Sequence, residues 1–478
     1  MTGTRLRLDV LSDEALARIE ETAFRLLSEV GIALEHQRAT EMLHGLGCRV
    51  EGDRVYIPQD TVQWALDNVS PHCQFYNRDG SPAFSFGDGR LRFHNGGGLP
   101  FYYDPGTGAR RQPLLSDVAA ATRLLDALPS VDAVIPLLGP QDVPPPLLSV
   151  ASTDTMLRNT SKPISAAAID KAEDVAYVVE MAAACCGDMA AFRQRPTMYI
   201  SVSPVSPLIF TGAVTAAIIA VAESGAPLTS LPAPSLGATG PVTLAGALAQ
   251  QHAEVLASFV IAAAARPGAP VVYCSRISSI DLRTAVSIWG GPEVGMSGAA
   301  AGQLAHRLGF ACDSYGLSSS SDLLDPQFGY ERLANALMPA LAGVDILSGV
   351  GSTHNVMAAG LEIAVIDDEI VSLIKQIVAG YEVTDVTLAF DVMKEVILRD
   401  GVFLGEMHTV KQMRKGALWI PRLGRSTGAE EATGGVVAAA RARAREILGS
   451  HQVEPLPDDV NRHLDEILSR ARRELAGT

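Results

Sequence analysis

A chain of 478 residues, 47% hydrophobic and 19% charged with 43 glycines, can bury a substantial core and is not of disordered composition. Its formal net charge of -15 argues against a nucleic-acid-binding face and against docking on anionic membranes, and it suits a cationic small molecule. The six cysteines (Cys48, Cys73, Cys185, Cys186, Cys274 and Cys312) lack C-x-x-C spacing, which argues against a zinc ribbon and a secreted disulfide framework; no metal site is expected.

In chain order, Met1 to Arg7 carries no apolar h-region, so no secretory signal is read and a cytoplasmic protein is expected. Ser12 to Val30 reads as a helix with an N-cap-like Ser12 and an apolar stripe of Leu16, Ile19, Ala23, Leu26 and Leu27. A second amphipathic helix follows near Arg38 to Leu46. From Leu91 to about Ser352, short apolar runs alternate with Ala-rich helical runs. The expected strands are Leu91 to His94, Val131 to Leu138, Pro163 to Ile169, Thr197 to Val202, Leu228 to Pro232, Val271 to Ile277, Phe310 to Gly316 and Val344 to Gly349. Between them the pattern predicts helices over Ser116 to Leu128, Ala172 to Ala184, Thr211 to Ser224, Leu244 to Ala265, Pro292 to Leu308 and Tyr330 to Leu341. Apolar stretches such as Ala213 to Ala222 are too short to span a bilayer. After Asp385 the chain turns helical and charged, with Ala438 to Leu448 and Asp459 to Ala476 read as packing or oligomer elements, so a homo-oligomer is expected.

About eight strands, each followed by a helix, predict an α/β fold: a TIM (β/α)8 barrel over 91–380, with an N-terminal helical extension over 1–90 and a C-terminal helical region over 381–478. An open doubly wound sheet is the alternative. No G-x-G-x-x-G follows a first strand to support nucleotide binding, and Gly96 to Gly98 reads as a tight turn at the barrel mouth.

The segment Tyr315 to Glu331, in which Ser-Asp (Ser321-Asp322) precedes Asp-x-Gln-x-Gly-x-Glu (Asp325 to Glu331), follows a predicted strand and opens a helix. It resembles the signature loop of the trimethylamine methyltransferase family, in whose founding members a pyrrolysine precedes the Ser-Asp pair. Thr239 to Gly246, Gln251 to Ala257, Gly291-Pro292-Glu293, Pro339 to Gly343 and Asp367 to Glu369 continue the resemblance in order. Here Ser320 or an immediate neighbour fills the pyrrolysine place, so the resemblance points to the non-pyrrolysine branch, which includes glycine betaine methyltransferases. It implies methyl transfer from an already quaternary amine to the cobalt of a corrinoid carried by a partner protein, with none bound tightly by this chain. Serine lacks the electrophilic ring that would activate a tertiary amine.

A quaternary ammonium donates no hydrogen bond and is held by aromatic faces and carboxylates. Phe101, Tyr102 and Tyr103 serve either as aromatic walls or as a packing lid, with Tyr315 and Tyr330 as second choices. Asp322, Asp325, Glu331 and Glu293 could hold a cation, while Asp325 and Glu331 could equally cap the helix that follows. His354 and Asn355 after the last strand, and His94 and Asn95 after the first, reach the mouth. The catalytic candidates are His354, Ser320 and Asp322; the substrate-binding candidates are Phe101, Tyr102, Tyr103, His94, Asn95, Tyr315, Gln327 and Glu331. They are expected to surround one pocket between Phe101 to Tyr103, Ser318 to Asp322 and His354. A methylated-amine binding protein on the same barrel, and a barrel lyase or hydrolase acting through His354, are the alternatives.

Overall fold

Eight short parallel strands set the architecture of the computed structural model, which describes residues 3, 4, 6–399, 401–424 and 435–477. They are β1 (Arg92–Asn95), β2 (133–134), β3 (Ile164–Ala168), β4 (Met198–Val202), β5 (Leu228–Ser230), β6 (Ala269–Ser275), β7 (Cys312–Tyr315) and β8 (Ile346–Val350). β3 through β8 pair in sequence order and β8 pairs with β1. Single parallel bridges from His94 to Ala133 and from Val134 to Ile164 set β2 between β1 and β3 and close the circle. The barrel is therefore closed, and the open-sheet alternative is excluded. Strands covered on both faces tolerate little polarity, which is why most of them read as continuous apolar runs.

Each strand is followed by a helix: α1 (Leu115–Ala127), α2 (Leu148–Asn159), α3 (Ala172–Cys186), α4 (Gly212–Ser224), α5 (Leu244–Ala265), α6 (Pro292–Arg307), α7 (Pro326–Leu341) and α8 (Leu361–Ala379). The sequence reading has no helix at α2, whose polar and β-branched residues follow three consecutive prolines and suppress a helical signal. α7 begins four residues before the expected Tyr330. Asp325 accepts the Phe328 N–H at 3.0 Å and Pro326 occupies the first turn, so the capping reading of Asp325 is the observed one.

The first ninety residues hold the expected helices, Asp13–Arg25 and Gln37–Gly45, plus Gln59–Asp67. Ser12 accepts the Ala15 N–H at 3.2 Å. Short strands lie there too, among them Ile32–Leu34, Arg54–Tyr56, Gln74–Tyr76 and Pro82–Ser85, so this extension is not helical alone. Its helices pack on α5, whose apolar surface runs all round and needs cover on its outer side as well. At the other end, helix Gly435–Ser450 packs on α8 and α1, and helix Asp458–Leu475 on α2 and α3. Among the described residues no helix is long and apolar enough to cross a membrane.

One fully buried ion pair joins α7, α8 and the exit of β8. Arg332 donates Nε to Asp367 Oδ1 at 2.6 Å, Nη1 to the Ser352 carbonyl at 2.6 Å and Nη2 to the Gly349 carbonyl at 3.1 Å. Asp367 also accepts the Gly351 N–H at 2.7 Å. Burial raises its carboxyl above the ordinary value, against the lowering pull of Arg332. Removing one partner of such a pair strands the other charge in a dry interior. Arg332→Met should therefore lower the unfolding free energy by about 3–5 kcal/mol, read as a reduced midpoint in urea, whereas exchanging the exposed Arg283 for Met should change it by less than about 0.5 kcal/mol.

Candidate active site

The strand C-termini surround a cavity of about 390 Å³, a volume suited to a small ligand. Side chains two apart on one strand share a face: Asp313 with Tyr315 on β7, and Tyr199 with Ser201 on β4. His94 and Asn95 end β1, and Arg276 follows β6. Tyr199, Ser201, His94, Asn95, Arg276 and Tyr315 line the cavity together with Trp289 and the apolar Ile135, Leu138, Leu148, Leu231 and Val356.

At its floor lies a charged cluster. The Arg276 guanidinium donates Nη2 to Asp313 Oδ1 at 2.8 Å, and its Nη1 reaches the Ser275 and Asp313 carbonyls at 2.8 and 3.2 Å. His94 Nε2 lies 3.3 Å from Asp313 Oδ2, while Nδ1 lies 2.8 Å from the Asn95 carbonyl. Both ring nitrogens face oxygen atoms. Burial alone would raise the Asp313 carboxyl, but Arg276 and His94 together hold it below the ordinary carboxylate value. Asn95 spends its amide on the Gly96 and Ile135 carbonyls and the Ile135 N–H, so it shapes the β1–β2 seam.

Above the floor, the half-buried Trp289 lies 5.0 Å from Tyr315, centroid to centroid, at 58°. Tyr315 in turn exchanges a hydrogen bond with Ser352 at 2.9 Å. Trp289 is fixed by the signature loop. Its backbone N–H donates to Oδ1 of Asn355, which is tied to the loop through the Ser319 carbonyl, at 3.0 Å, and the next backbone N–H, of Gly290, donates to Ser320 Oγ at 2.9 Å. Glu331 accepts from Ser319 Oγ, Ser320 N and Gln327 Nε2, at 2.8, 2.8 and 2.9 Å. A side chain at Gly290 would collide with the Glu331 carboxylate and the Ser320 nitrogen. The Asp-x-Gln-x-Gly-x-Glu run is thus a staple that holds the loop, and through it Trp289.

The expected neighbours do meet, on the rim. Tyr103 Oη donates to the Asp322 carbonyl at 3.2 Å, the His354 N–H to the Ser321 carbonyl at 3.2 Å, and strand Phe101–Tyr103 pairs with Ala358–Gly360 and Arg110–Arg111. Phe101, Tyr102, Tyr103, Ser320, Asp322, Gln327, Glu331 and His354 are not cavity walls. The cavity is thus lined by other residues than the pocket expected between Phe101 to Tyr103, Ser318 to Asp322 and His354. The Arg110 guanidinium sits 3.7 Å over one face of Phe101 and that of Arg111 4.9 Å over one face of Tyr102. Asp322 is exposed. Tyr330, the other second choice, is 62% exposed. His354, Asn355 and Val356 form a run of left-handed backbone with φ of 52°, 53° and 64°, a conformation that histidine and asparagine adopt more readily than other side chains and an outlier for valine; it turns Asn355 toward Trp289 and Val356 into the cavity. Of the substrate-binding candidates, the cavity receives His94, Asn95 and Tyr315.

Sequence reasoning missed Tyr199, Arg276, Trp289 and Asp313. The signal was present for Asp313 and Arg276, a carboxylate and a guanidinium embedded in apolar strand runs, because a buried charge needs a partner. For Trp289, nothing local distinguishes a wall from packing. Among the described residues no cluster has the makings of a metal site.

A closed barrel with a small, mostly apolar cavity, an aromatic pair and a charged floor at its strand C-termini suits an enzyme acting on a small charged molecule. The family profile described as trimethylamine methyltransferase (MTTB) matches residues 1–476. The chain belongs to the trimethylamine methyltransferase family. It is 30% identical to trimethylamine methyltransferase MttB of Desulfitobacterium hafniense, over 97% of this chain and 94% of that protein. It is likewise 30% identical to a glycine betaine methyltransferase of the same species, over 86% and 85% of the two chains. A solved structure of a hydroxylamine complex of MtmB superposes with a TM-score of 0.50 at 14% identity, covering 97% of this chain and 94% of that one, a likeness of fold. The family relationship supports methyl transfer from an amine.

Asp313→Asn tests the floor. Its loss leaves Arg276 without its buried counter-charge and should cost about 3–5 kcal/mol at neutral pH. Because the folded-state value of Asp313 is depressed, its contribution is present above the unfolded value of about 4 and is lost as pH falls through the folded value. Urea titrations at stepped pH should show a steeper acid loss of stability in the wild type than in Asp313→Asn.

Proposed function

We propose that this chain demethylates a quaternary amine bearing a carboxylate, glycine betaine or a close analogue, and passes the methyl group to a corrinoid held by a partner protein. The observation that carries this reading is the pairing of opposite chemistries in one small cavity: the Trp289–Tyr315 aromatic pair beside an Arg276 that still has N–H groups to give. Three of its five N–H groups are engaged, which leaves two for a carboxylate. Aromatic faces suit the trimethylammonium end, at roughly 2 kcal/mol when water is excluded.

The family name alone would favour trimethylamine; the chemistry of the loop argues otherwise. Ser320 offers no electrophile, and its hydroxyl already accepts from Gly290. A quaternary nitrogen leaves as a neutral tertiary amine, so the chain need only orient the N–methyl bond and exclude water. Ser320, His354 and Asp322 then act as positioning or rim residues. The cavity of about 390 Å³ admits a small amine and is too small for a corrin ring, which agrees with a corrinoid presented from outside at the mouth. That group would supply the methyl-accepting cobalt.

Glycine betaine, proline betaine, carnitine, choline and trimethylamine compared side by side, with methyl transfer to cob(I)alamin followed spectroscopically, should give turnover of a carboxylated quaternary amine. Turnover of trimethylamine alone would sink the reading. Trp289→Leu should weaken binding of that substrate about five- to thirty-fold, equivalent to roughly 1–2 kcal/mol, in a calorimetric titration, while Trp289→Phe retains most of the affinity.

A further inference from the structure

Between Gly380 and Gly416 the chain leaves the barrel as an arm of three short helices, Asp385–Leu388, Phe390–Arg399 and Met407–Arg414. In these helices Val396 alone is buried. Fourteen of the 27 large apolar side chains that lie exposed among the described residues fall between 383 and 420. Phe390, Met393 and Ile397, spaced three and four apart, give one helix an apolar face turned to solvent, with Leu398 78% and Leu404 83% exposed nearby. Such a concentration marks an interaction surface.

We propose that a second copy of this chain covers the arm, arm against arm across a twofold axis. Position argues against the methyl acceptor as the occupant. Helix α8 runs from the cavity end of the barrel to the opposite end, where Val378 shares a cleft with Phe310 and Asp345 at the entries to β7 and β8. The returning chain is held there too, with Trp419 Nε1 donating to Ser372 Oγ at 3.0 Å and Gln376 Nε2 to the Gly416 carbonyl at 3.5 Å. Both ends of the arm are thus anchored on the far half of α8 from the mouth, which favours an occupant other than a protein delivering its cofactor there. Charge agrees: residues 383–420 contain five acidic and five basic side chains in a chain of net charge -15. Two such acidic bodies can meet through this neutral patch without like-charge repulsion. Size agrees as well. A standard interface hides roughly 800 Å² per partner, and fourteen large apolar side chains, each more than a third exposed, offer area of that order.

The test is the mass of the full chain in solution, by size exclusion with light scattering at micromolar concentration, for the wild type, Ile397→Glu/Leu404→Glu and the control Val242→Glu. Val242 is equally exposed but lies away from the arm. The wild type and Val242→Glu should run as a dimer or a higher even-numbered assembly, and the arm variant at half the wild-type mass or less, with unchanged far-UV circular dichroism and urea midpoint measured on the monomer. A monomeric wild type, or an arm variant of unchanged mass, overturns the proposal. So does a monomer that sediments with phosphatidylcholine–phosphatidylglycerol vesicles, since the arm would then be a lipid-binding surface.

Discussion

The buried Arg332–Asp367 pair is the joint on which the working end of the barrel depends. It takes up two carbonyls and one N–H of the turn 349–352, where the chain leaves β8 and no regular partner remains for those groups. Ser352, held in that turn, bonds Tyr315 in the cavity. The left-handed run 354–356 starts two residues later. A hydrophobic substitute would fill the volume but leave the Ser352 carbonyl and the Gly351 N–H without the partners the pair supplies, at about 1–3 kcal/mol each. The pair thus links helix packing to the shape of the cavity rim.

From that joint the logic of the signature loop becomes physical. Asp325 starts α7, Glu331 on its next turn gathers Ser319, Ser320 and Gln327, and Ser320 holds Gly290 beside Trp289. Residues that look like reacting groups in the sequence act here through backbone contacts on an aromatic wall. A serine at this place keeps the scaffold of the loop while offering no electrophile, so the loop can persist where the amine needs no activation.

The barrel was legible because strands covered on both faces must be apolar throughout, and seven of the eight expected runs contain a ladder-paired strand. The exception, Val131 to Leu138, closes the barrel through single bridges, and Pro136 within it can donate no ladder hydrogen bond. Helix α2 was hidden by its own polarity. His94, Asn95 and Tyr315 were legible as strand-end residues. Phe101 to Tyr103 misled because adjacent aromatics advertise a binding wall, whereas successive residues of a strand face opposite ways, and arginines stack on Phe101 and Tyr102. Asp313 and Arg276 were readable in principle; their partnership joins positions 37 residues apart, which one-dimensional periodicity does not report.

The C-terminal helix Asp458–Leu475 packs on α2 and α3, where Arg158 meets Asp465 at 2.8 Å and Tyr177 donates to Glu474 at 2.5 Å. A helix made about 300 residues after α2 therefore covers helices from the first half of the barrel. Until it arrives, the nascent chain carries a partly formed barrel with one flank uncovered, a span of about 300 residues that takes roughly 15–60 s to synthesise at 5–20 residues per second. Apolar surface left open for that long is the kind that aggregates during synthesis, so the sequence separation of this contact makes early folding of the flank exposed.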